Sequence, residues 1–395
     1  MVVPDWIWIV FLFAFGCCVG SFLNVVVYRL PRDKSIVTPP SACPSCGKHI
    51  HFYDNIPLIS WMLLGRKCRF CKAPISPRYF FIELLTGLVF VGLFLLYFRF
   101  DLHAGIGSFL GSGGFIYFFH IILLAAFIAA SAIDLELWVI PLSICWFVTA
   151  IGFVGSSVGS YLVAPSFMLL PSASAQIGSL AVGAAIGLVV SLIFLTTGLI
   201  KRSYEETEDG GQRTEDSLSG VASAKTERRK TEDGSEPQFN HRLEAFKEII
   251  FLLPIIIFSA IAFWIFKHVS PINTWWSNFS QHPVVSGFLG SLWGYFIGCG
   301  VVWATRILGT FAFGKEAMGL GDVHLMGAAG AVIGPIFVVV AFFVAPFFGL
   351  AWAVFQMFFK KTRQIPYGPF LSLGIFTVMI LHERILSYWD FMFNP

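Results

Sequence analysis

Residues 319–330 read GLGDVHLMGAAG and place an aspartate, Asp322, between a glycine pair and the start of a long apolar run. The run continues to residue 359, which is longer than one helix needs to cross a bilayer core of about 30 Å. Because the run contains Pro335 and Pro346, we expect a short helix to about residue 336 and a second helix from about residue 337. An ionised aspartate in hydrocarbon costs about 2.5–3.5 kcal/mol, so Asp322 should have a task or a partner.

The composition is that of an integral membrane protein. Hydrophobic residues make up 56% of the 395 residues, charged residues only 12%, and the mean hydropathy is +0.77. The other apolar runs that are long enough to span a bilayer as helices lie at 6–28, 80–98, 115–133, 139–158, 176–200, 248–266, 284–308 and 366–383. The sequence therefore predicts an all-α polytopic protein with about ten transmembrane helices. The first run has no basic segment before it, so we expect a retained anchor rather than a cleaved signal.

The basic residues predict the orientation. Of the 26 Lys and Arg residues, 23 fall in segments that a ten-helix count places on one face, and by the positive-inside rule that face is cytoplasmic. Both termini then lie outside. The net charge of +3 reports this topology and gives no indication of nucleic-acid binding, and the sequence does not reveal an oligomeric state.

Five regions follow from this reading. They are the first helix at 1–28, a cytoplasmic loop at 29–79, membrane helices at 80–160, an inserted helix hairpin at 161–283, and membrane helices at 284–395 that carry the GLGD motif. Within the insertion, segment 201–247 is rich in Glu, Asp, Thr, Ser, Gly and Lys and is predicted to be a disordered linker, because it cannot bury enough apolar surface to fold.

The cytoplasmic loop carries two C-x2-C pairs, CPSC and CRFC, separated by 21 residues; their cysteines are Cys43, Cys46, Cys68 and Cys71. Four thiolates in two such pairs are typical of a structural zinc site. Two disulfides are the alternative, although such bonds rarely persist in the cytoplasm. His49 and His51 lie between the pairs and could each replace a cysteine, but with four thiolates available we expect them to be loop residues.

Two aspartates reach the predicted cytoplasmic boundary. Asp134 ends the helix AAFIAASAID, and Asp322 begins the helix after the last cytoplasmic loop, 188 residues later. Two carboxyl groups brought together can share a proton and a water molecule, as in an aspartic protease. Gly319 and Gly321 would let the backbone before Asp322 take angles closed to other residues and let an extended substrate approach. The alternative is that Asp322 only caps its helix.

Two other carboxylates compete for a role at this boundary. Glu136 lies two residues beyond Asp134 and is expected to face water. Glu83 follows the cysteine loop in RYFFIELLTG; it could pair with Arg78 or belong to a second site.

Several separated motifs resemble the type IV prepilin peptidases, also called leader peptidase/N-methyltransferases. They are GSFLNVVVYRLPR from Gly20, YDNIPLISW between the cysteine pairs, SPRYFFIELLTG, the D-x5-IP pattern from Asp134, GKEAMGLGDVHL from Gly314 and IPYGPFL from Ile365. The resemblance spans the chain except roughly 160–283, which looks like an addition to an eight-helix plan.

The resemblance implies an aspartic endopeptidase of the bacterial inner membrane with Asp134 and Asp322 as catalytic residues. It implies prepilin and type II secretion pseudopilin substrates, cleaved after a glycine at the cytoplasmic boundary with the apolar helix still in membrane lipid. It also implies methylation of the new N-terminus with S-adenosylmethionine, associated with the cytoplasmic loop region, where Glu83 is the candidate cofactor-binding residue. The alternatives are a peptidase without methyltransfer, a catalytically silent assembly scaffold for pili, and an ion-coupled transporter.

Two positions depart from the usual pattern. The family usually has a lysine where this chain has His324, so a permanent cation near the aspartates would become one that titrates near neutral pH. An acidic or amide residue often follows the D-x5-IP proline, where this chain has Leu142.

Overall fold

The chain forms a bundle of helices. The computed structural model describes residues 4–100, 106–163, 170–201, 203, 240–359 and 366–393. The helices are α1 Asp5–Arg29, α2 Ile59–Leu63, α3 Pro77–Phe98, α4 Ser112–Leu137, α5 Leu142–Leu162, α6 Ala175–Thr196, α7 His241–His268, α8 Ser270–Ser280, α9 Pro283–Phe313, α10 Leu320–Ile333, α11 Pro335–Phe359, α12 Gly368–Ile380 and α13 His382–Phe393. Within these described ranges there is no strand, so the predicted all-α polytopic fold is confirmed.

Eight of the helices, α1, α3, α4, α5, α6, α7, α9 and α11, are long and apolar enough to cross a membrane. A ninth crossing is formed if α12 and α13, which meet at a bend of 71°, count as one span. The tenth predicted crossing corresponds to α10, which has 14 residues and is therefore about 21 Å long. The chain is a multi-pass membrane protein in which α10 is shorter than the bilayer core.

The long apolar run divides as predicted. Helix α10 ends at Ile333, and Gly334, at a φ of 86°, turns the chain before Pro335 begins α11. A residue with a Cβ would be strained at this positive φ, and proline suits the first position of a helix. The break lies about three residues earlier than the sequence predicted, because Gly334 rather than the following apolar residues ends the helix.

Helix α10 lies at the centre of the bundle, packed against α4, α5, α9, α11 and α12. Its residues 325–333 are apolar around the whole circumference and almost completely buried, as expected for an enclosed helix. Glycines bring α9 against it: a Cβ on Gly330 would lie 2.1 Å from the carbonyl oxygen of Gly294. Such close backbone approach is typical of helix packing in membranes, and it fixes the position of α10 and hence of Asp322.

The cysteine loop, the end of α4 and the start of α12 meet at one end of the bundle. Arg78, at the start of α3, forms an ion pair with Glu136 near the end of α4. The backbone N–H of Gly368, at the start of α12, donates to Asp134. These three segments, which the helix count placed on one face, are therefore neighbours in space. We call this the loop end of the bundle.

The inserted hairpin packs on the bundle through α9. Helices α6 and α7 contact each other closely, because Gly183 and Gly187 of α6 lie against the backbone of α7, and both helices contact α9. Helix α7 begins at His241, so the prediction that the linker extends to residue 247 is wrong at its C-terminal end. Residues 204–239 of the predicted linker lie outside the described residues.

Candidate active site

Asp134 and Asp322 line the same cavity at the loop end, although they are 188 residues apart. The cavity has a volume of about 790 Å³. Its other lining residues are Trp138, Val139, Ile140, Thr305, Ala317, Met318, Gly319, Gly321, Phe342, Phe343, Pro346, Pro366 and Tyr367. Both aspartates are buried and their charges interact. The geometry therefore gives two carboxylates facing one space that is large enough for a segment of extended peptide.

Asp134 lies in the last turn of α4 and is held by the start of α12. The sequence predicted that this helix ends at Asp134, but it continues to Leu137. There Trp138 takes a left-handed conformation and donates its N–H to the Asp134 carbonyl. The Gly368 N–H donates to Asp134 Oδ2 at 2.9 Å. Sequence reasoning missed Gly368, although the turn signal YGP at the start of an apolar run marks a helix beginning there.

Asp322 lies in the first turn of α10, where its Oδ2 accepts the N–H of Gly319 at 3.3 Å. The side chain therefore does cap its helix, as the alternative interpretation held. Asp322 is also buried and lines the cavity with Asp134. Capping alone does not require this burial, since most capping side chains face solvent. The cap therefore orients a carboxylate that also lines the cavity.

The glycines of the motif do not have the conformation that the sequence suggested. Gly319 has a φ of −76°, and Gly321 is not among the described residues of positive φ. Gly321 instead allows close packing, because a Cβ there would lie 3.0 Å from the Cβ of Ile140. Ile140 follows α4, so Gly321 lets the segments that carry the two aspartates approach each other.

His324 does not line the cavity. It is half-buried beside α5 and α9, with its Nδ1 3.5 Å from the Tyr295 hydroxyl and its ring 5.9 Å from that of Trp146. Residues two apart on a helix point to nearly opposite sides, so Asp322 and His324 diverge. The cation whose charge reaches Asp322 is instead Arg306 of α9, which sequence reasoning did not identify.

The competing carboxylates have other partners. Glu136 pairs with Arg78, so the partner found for Arg78 is not Glu83, which had been one of two alternatives for that glutamate. Glu83 is buried in α3 and its Oε2 accepts the Leu58 N–H at 2.8 Å. That bond ties the cysteine loop to the membrane helices. A role of Glu83 in binding a cofactor stays a prediction.

The four loop cysteines come together. Their Sγ atoms all lie within 4.8 Å of one another, and those of Cys43 and Cys71 are 3.8 Å apart. A tetrahedral zinc site with Zn–S bonds of about 2.3 Å requires S–S distances of about 3.8 Å. All four cysteines are free thiols, in contrast to the disulfide alternative. His49 and His51 are not part of the cluster. The residues thus fit a metal such as zinc.

The loop builds this cluster from two copies of one turn. In the first copy the N–H of Cys43 donates to Lys48, and in the second the N–H of Cys68 donates to Ala73. The residue after each pair, Gly47 or Lys72, has a positive φ. Backbone N–H groups of Cys71 and Phe70 point at Cys68 and lower the pKa of its thiol to about 6, which favours the thiolate that a metal requires.

Part of the chain is similar to known proteins. Residues 14–97, which include the cysteine loop, match the bacterial peptidase A24 N-terminal domain. A prepilin leader peptidase/N-methyltransferase of Myxococcus xanthus is 44% identical over 135 residues, covering 34% of this chain and 36% of that protein. One of the same name from Pseudomonas aeruginosa is 41% identical over 113 residues, covering 23% of this chain and 39% of the relative.

A third relative is a type 4 prepilin-like proteins leader peptide-processing enzyme of Escherichia coli, 43% identical over 94 residues, which cover 19% of this chain and 35% of that enzyme. The chain therefore spans less than half the length of these relatives. No solved structure matches it. The comparisons confirm the sequence resemblance to the type IV prepilin peptidases.

Proposed function

We propose that this protein is an aspartic endopeptidase that removes the basic leader from type IV prepilins and type II secretion pseudopilins at the cytoplasmic face of the bacterial inner membrane. The observation that carries the proposal is the meeting of Asp134 and Asp322 in one cavity at the loop end. The names of the relatives, which are prepilin leader peptidases, give the substrate class.

The two carboxylates supply general acid and general base. One carboxylate takes a proton from a water molecule held between them, and the water oxygen attacks the scissile carbonyl. The protonated partner donates a hydrogen bond and then its proton to the carbonyl oxygen. When the tetrahedral diol collapses, the leaving amine takes the proton that the first carboxylate had accepted from water, and a hydroxyl of the diol returns its proton to the partner carboxylate, so the dyad again holds one proton. The N–H groups of Gly368 and Gly319 each bind Oδ2 of one aspartate and so orient the carboxylate. The Oδ1 atom of each aspartate can then accept a proton or a hydrogen bond during the reaction.

The walls of the cavity suit a substrate that is partly in lipid. Phe342, Phe343 and Pro346 form an apolar side on α11, while the two aspartates and Thr305 supply polar groups. Apolar residues that follow the cleavage site can pack on α11 while the polar leader stays toward the loop end. Cleavage after a glycine fits this arrangement, because a residue without a side chain lets the peptide backbone approach buried carboxylates.

We further propose that Cys43, Cys46, Cys68 and Cys71 hold a zinc ion that fixes the loop, and that the loop region supports methylation of the new N-terminus. S-adenosylmethionine, when bound, supplies the methyl group. The methyltransfer part rests on the family resemblance and on the relatives' names. Glu83 supports the region by anchoring Leu58.

Cleavage of a synthetic prepilin leader, followed by mass spectrometry with and without S-adenosylmethionine, tests the proposal. We expect the wild type to cut after the leader glycine and both Asp134→Asn and Asp322→Asn to lose cleavage while remaining folded. Glu136→Gln is the matched control, because Glu136 is on the same helix as Asp134 but pairs with Arg78.

The outcomes separate the alternatives. An added methyl mass supports the second activity, and its absence supports a peptidase without methyltransfer. If either aspartate can be replaced without loss of cleavage, the dyad is wrong. Pilus assembly that continues in cells carrying Asp322→Asn would indicate a scaffold.

A further inference from the structure

A buried ion pair between α7 and α9 connects the inserted hairpin to the candidate active site. Arg306 of α9 is 1% exposed, and its Nε donates to Glu248 Oε1 at 2.9 Å and Oε2 at 3.2 Å. Glu248 lies on α7 of the insertion and is also buried. A buried charge is costly unless it is paired, so each of these residues depends on the other.

Other groups hold Glu248 in place. The indole N–H of Trp303, one turn before Arg306 on α9, donates to Glu248 Oε2 at 2.9 Å. The hydroxyl of Ser203, just beyond α6, donates to Oε1 at 3.4 Å. The carboxylate therefore has a defined position, and both ends of the insertion's polar segment meet at it.

The other end of Arg306 holds the segment before Asp322. Its Nη1 donates to Glu316 Oε1 at 2.7 Å and to the carbonyl oxygen of Met318. The Met318 carbonyl and the Gly319 N–H belong to the same peptide group, and that N–H donates to Asp322. Because a peptide group is planar, fixing its carbonyl also fixes the direction of its N–H.

We propose that Glu248 is a positioning residue for Asp322, which acts through Arg306 and the Met318–Gly319 peptide group. The assignment of a catalytic role to Asp322 rests on the proposed function above. By this proposal the insertion is a part of the active-site support in this chain, rather than an unrelated membrane hairpin.

Glu316 cannot substitute for Glu248 in this role. The Glu316 side chain is 46% exposed, compared with 4% for that of Glu248, so water competes for its contact with Arg306. Glu316 also binds Nη1, on the same side as the Met318 carbonyl. Without the Nε anchor the guanidinium can turn, and the peptide group turns with it.

The test compares Glu248→Gln with the matched control Glu244→Gln. Glu244 is also buried, lies one turn earlier on α7, and forms an ion pair with Lys247. Two quantities are measured in the full-length protein: kcat and KM for leader cleavage, and hydrogen exchange of a peptide covering residues 316–322. For Glu248→Gln we expect kcat to fall at least tenfold with KM within twofold, and exchange at the Gly319 amide to rise at least tenfold. Glu244→Gln should change neither quantity.

The proposal is overturned if Glu248→Gln leaves kcat or the exchange of residues 316–322 unchanged, or if Glu244→Gln has the same effect. Should Glu248→Gln not fold, Trp303→Phe removes only the indole bond to Glu248, and the same two quantities should move in the same direction by about threefold; no movement overturns the proposal. If the wild type does not cleave leaders, the proposed function fails, while the exchange measurement still decides whether Glu248 orders residues 316–322.

Discussion

Replacing Gly368 with alanine tests how Asp134 is oriented. A Cβ at residue 368 would lie 2.7 Å from Asp134 Oδ2 and 3.3 Å from its Cγ. The carboxylate would have to move by about 0.8 Å to reach ordinary van der Waals distance, which stretches its 2.9 Å bond to the residue 368 N–H. The backbone of residue 368 has no positive φ, so alanine is otherwise accommodated and the helix should be retained.

Two independent routes give the size of the effect. A hydrogen bond to a charged group contributes about 1.5–3 kcal/mol, which corresponds to about 10- to 150-fold in rate. A catalytic group misplaced by about 1 Å costs about 100-fold. We therefore expect kcat for leader cleavage to fall by 10- to 150-fold, about the same range by either route.

The assay is leader cleavage under saturating substrate, with thermal unfolding in detergent as the check on folding. Gly349→Ala is the matched control, because Gly349 is a glycine of α11 beside α12 where a Cβ would find its nearest neighbour, in Phe370, at 3.8 Å. If Gly368→Ala cleaves within twofold of Gly349→Ala, the Gly368 N–H does not position Asp134, and the orientation of the carboxylate must come from other contacts.

Three further predictions follow from the packing and the cysteine cluster. Metal analysis should find one zinc per chain, and Cys68→Ser or a strong chelator should lower the unfolding temperature, because the cluster closes the loop; unchanged stability after the metal is removed would contradict this. Gly330→Ala should fail to fold or lose at least 1–3 kcal/mol of stability, because its Cβ would lie 2.1 Å from a backbone oxygen, whereas Gly300→Ala, with nothing within 4 Å, should retain wild-type thermal stability. Thr305→Trp should reduce kcat/KM for leader peptides by about tenfold or more by filling the cavity, with its far-UV circular dichroism unchanged; wild-type cleavage would show that substrate does not enter beside α9.

The sequence predicted the features that follow from composition and spacing. Hydrophobic runs of bilayer length predict helices because the lipid requires every backbone polar group to be bonded internally. The C-x2-C pairs predict a four-sulfur cluster because both pairs form the same local turn. The contacts that orient the aspartates could not be predicted this way. Gly368 and Asp134 are 234 residues apart, and nothing local to either residue indicates the other.

The insertion shows even more clearly that composition does not predict contacts between residues distant in sequence. Its polar segment indicated a linker by composition, and on that basis residues 241–247 were expected to be unfolded. The structure instead begins α7 at His241, because Glu248 and its neighbours pack against α9 and are paired there. Hydrogen bonds and ion pairs between helices stabilise charged residues that composition alone would place in solvent. A buried carboxylate with a distant arginine partner looks the same in sequence as a solvated one.

The proposed function requires a peptide bond to reach the buried aspartates, and the helix lengths provide a route. Thr305 and Pro346 line the cavity, yet α9 continues to Phe313 and α11 to Phe359, about two and more than three turns further. Helix α4 ends only three residues beyond Asp134, and α12 starts beside it. Two helices thus extend past the aspartates while their neighbours stop at that level, which leaves a recess with the carboxylates at its base. An extended leader can enter such a recess from the loop end without any helix of the core having to separate. The shortness of α10, whose first turn holds Asp322, is what places the second carboxylate at the base of this recess rather than at its rim.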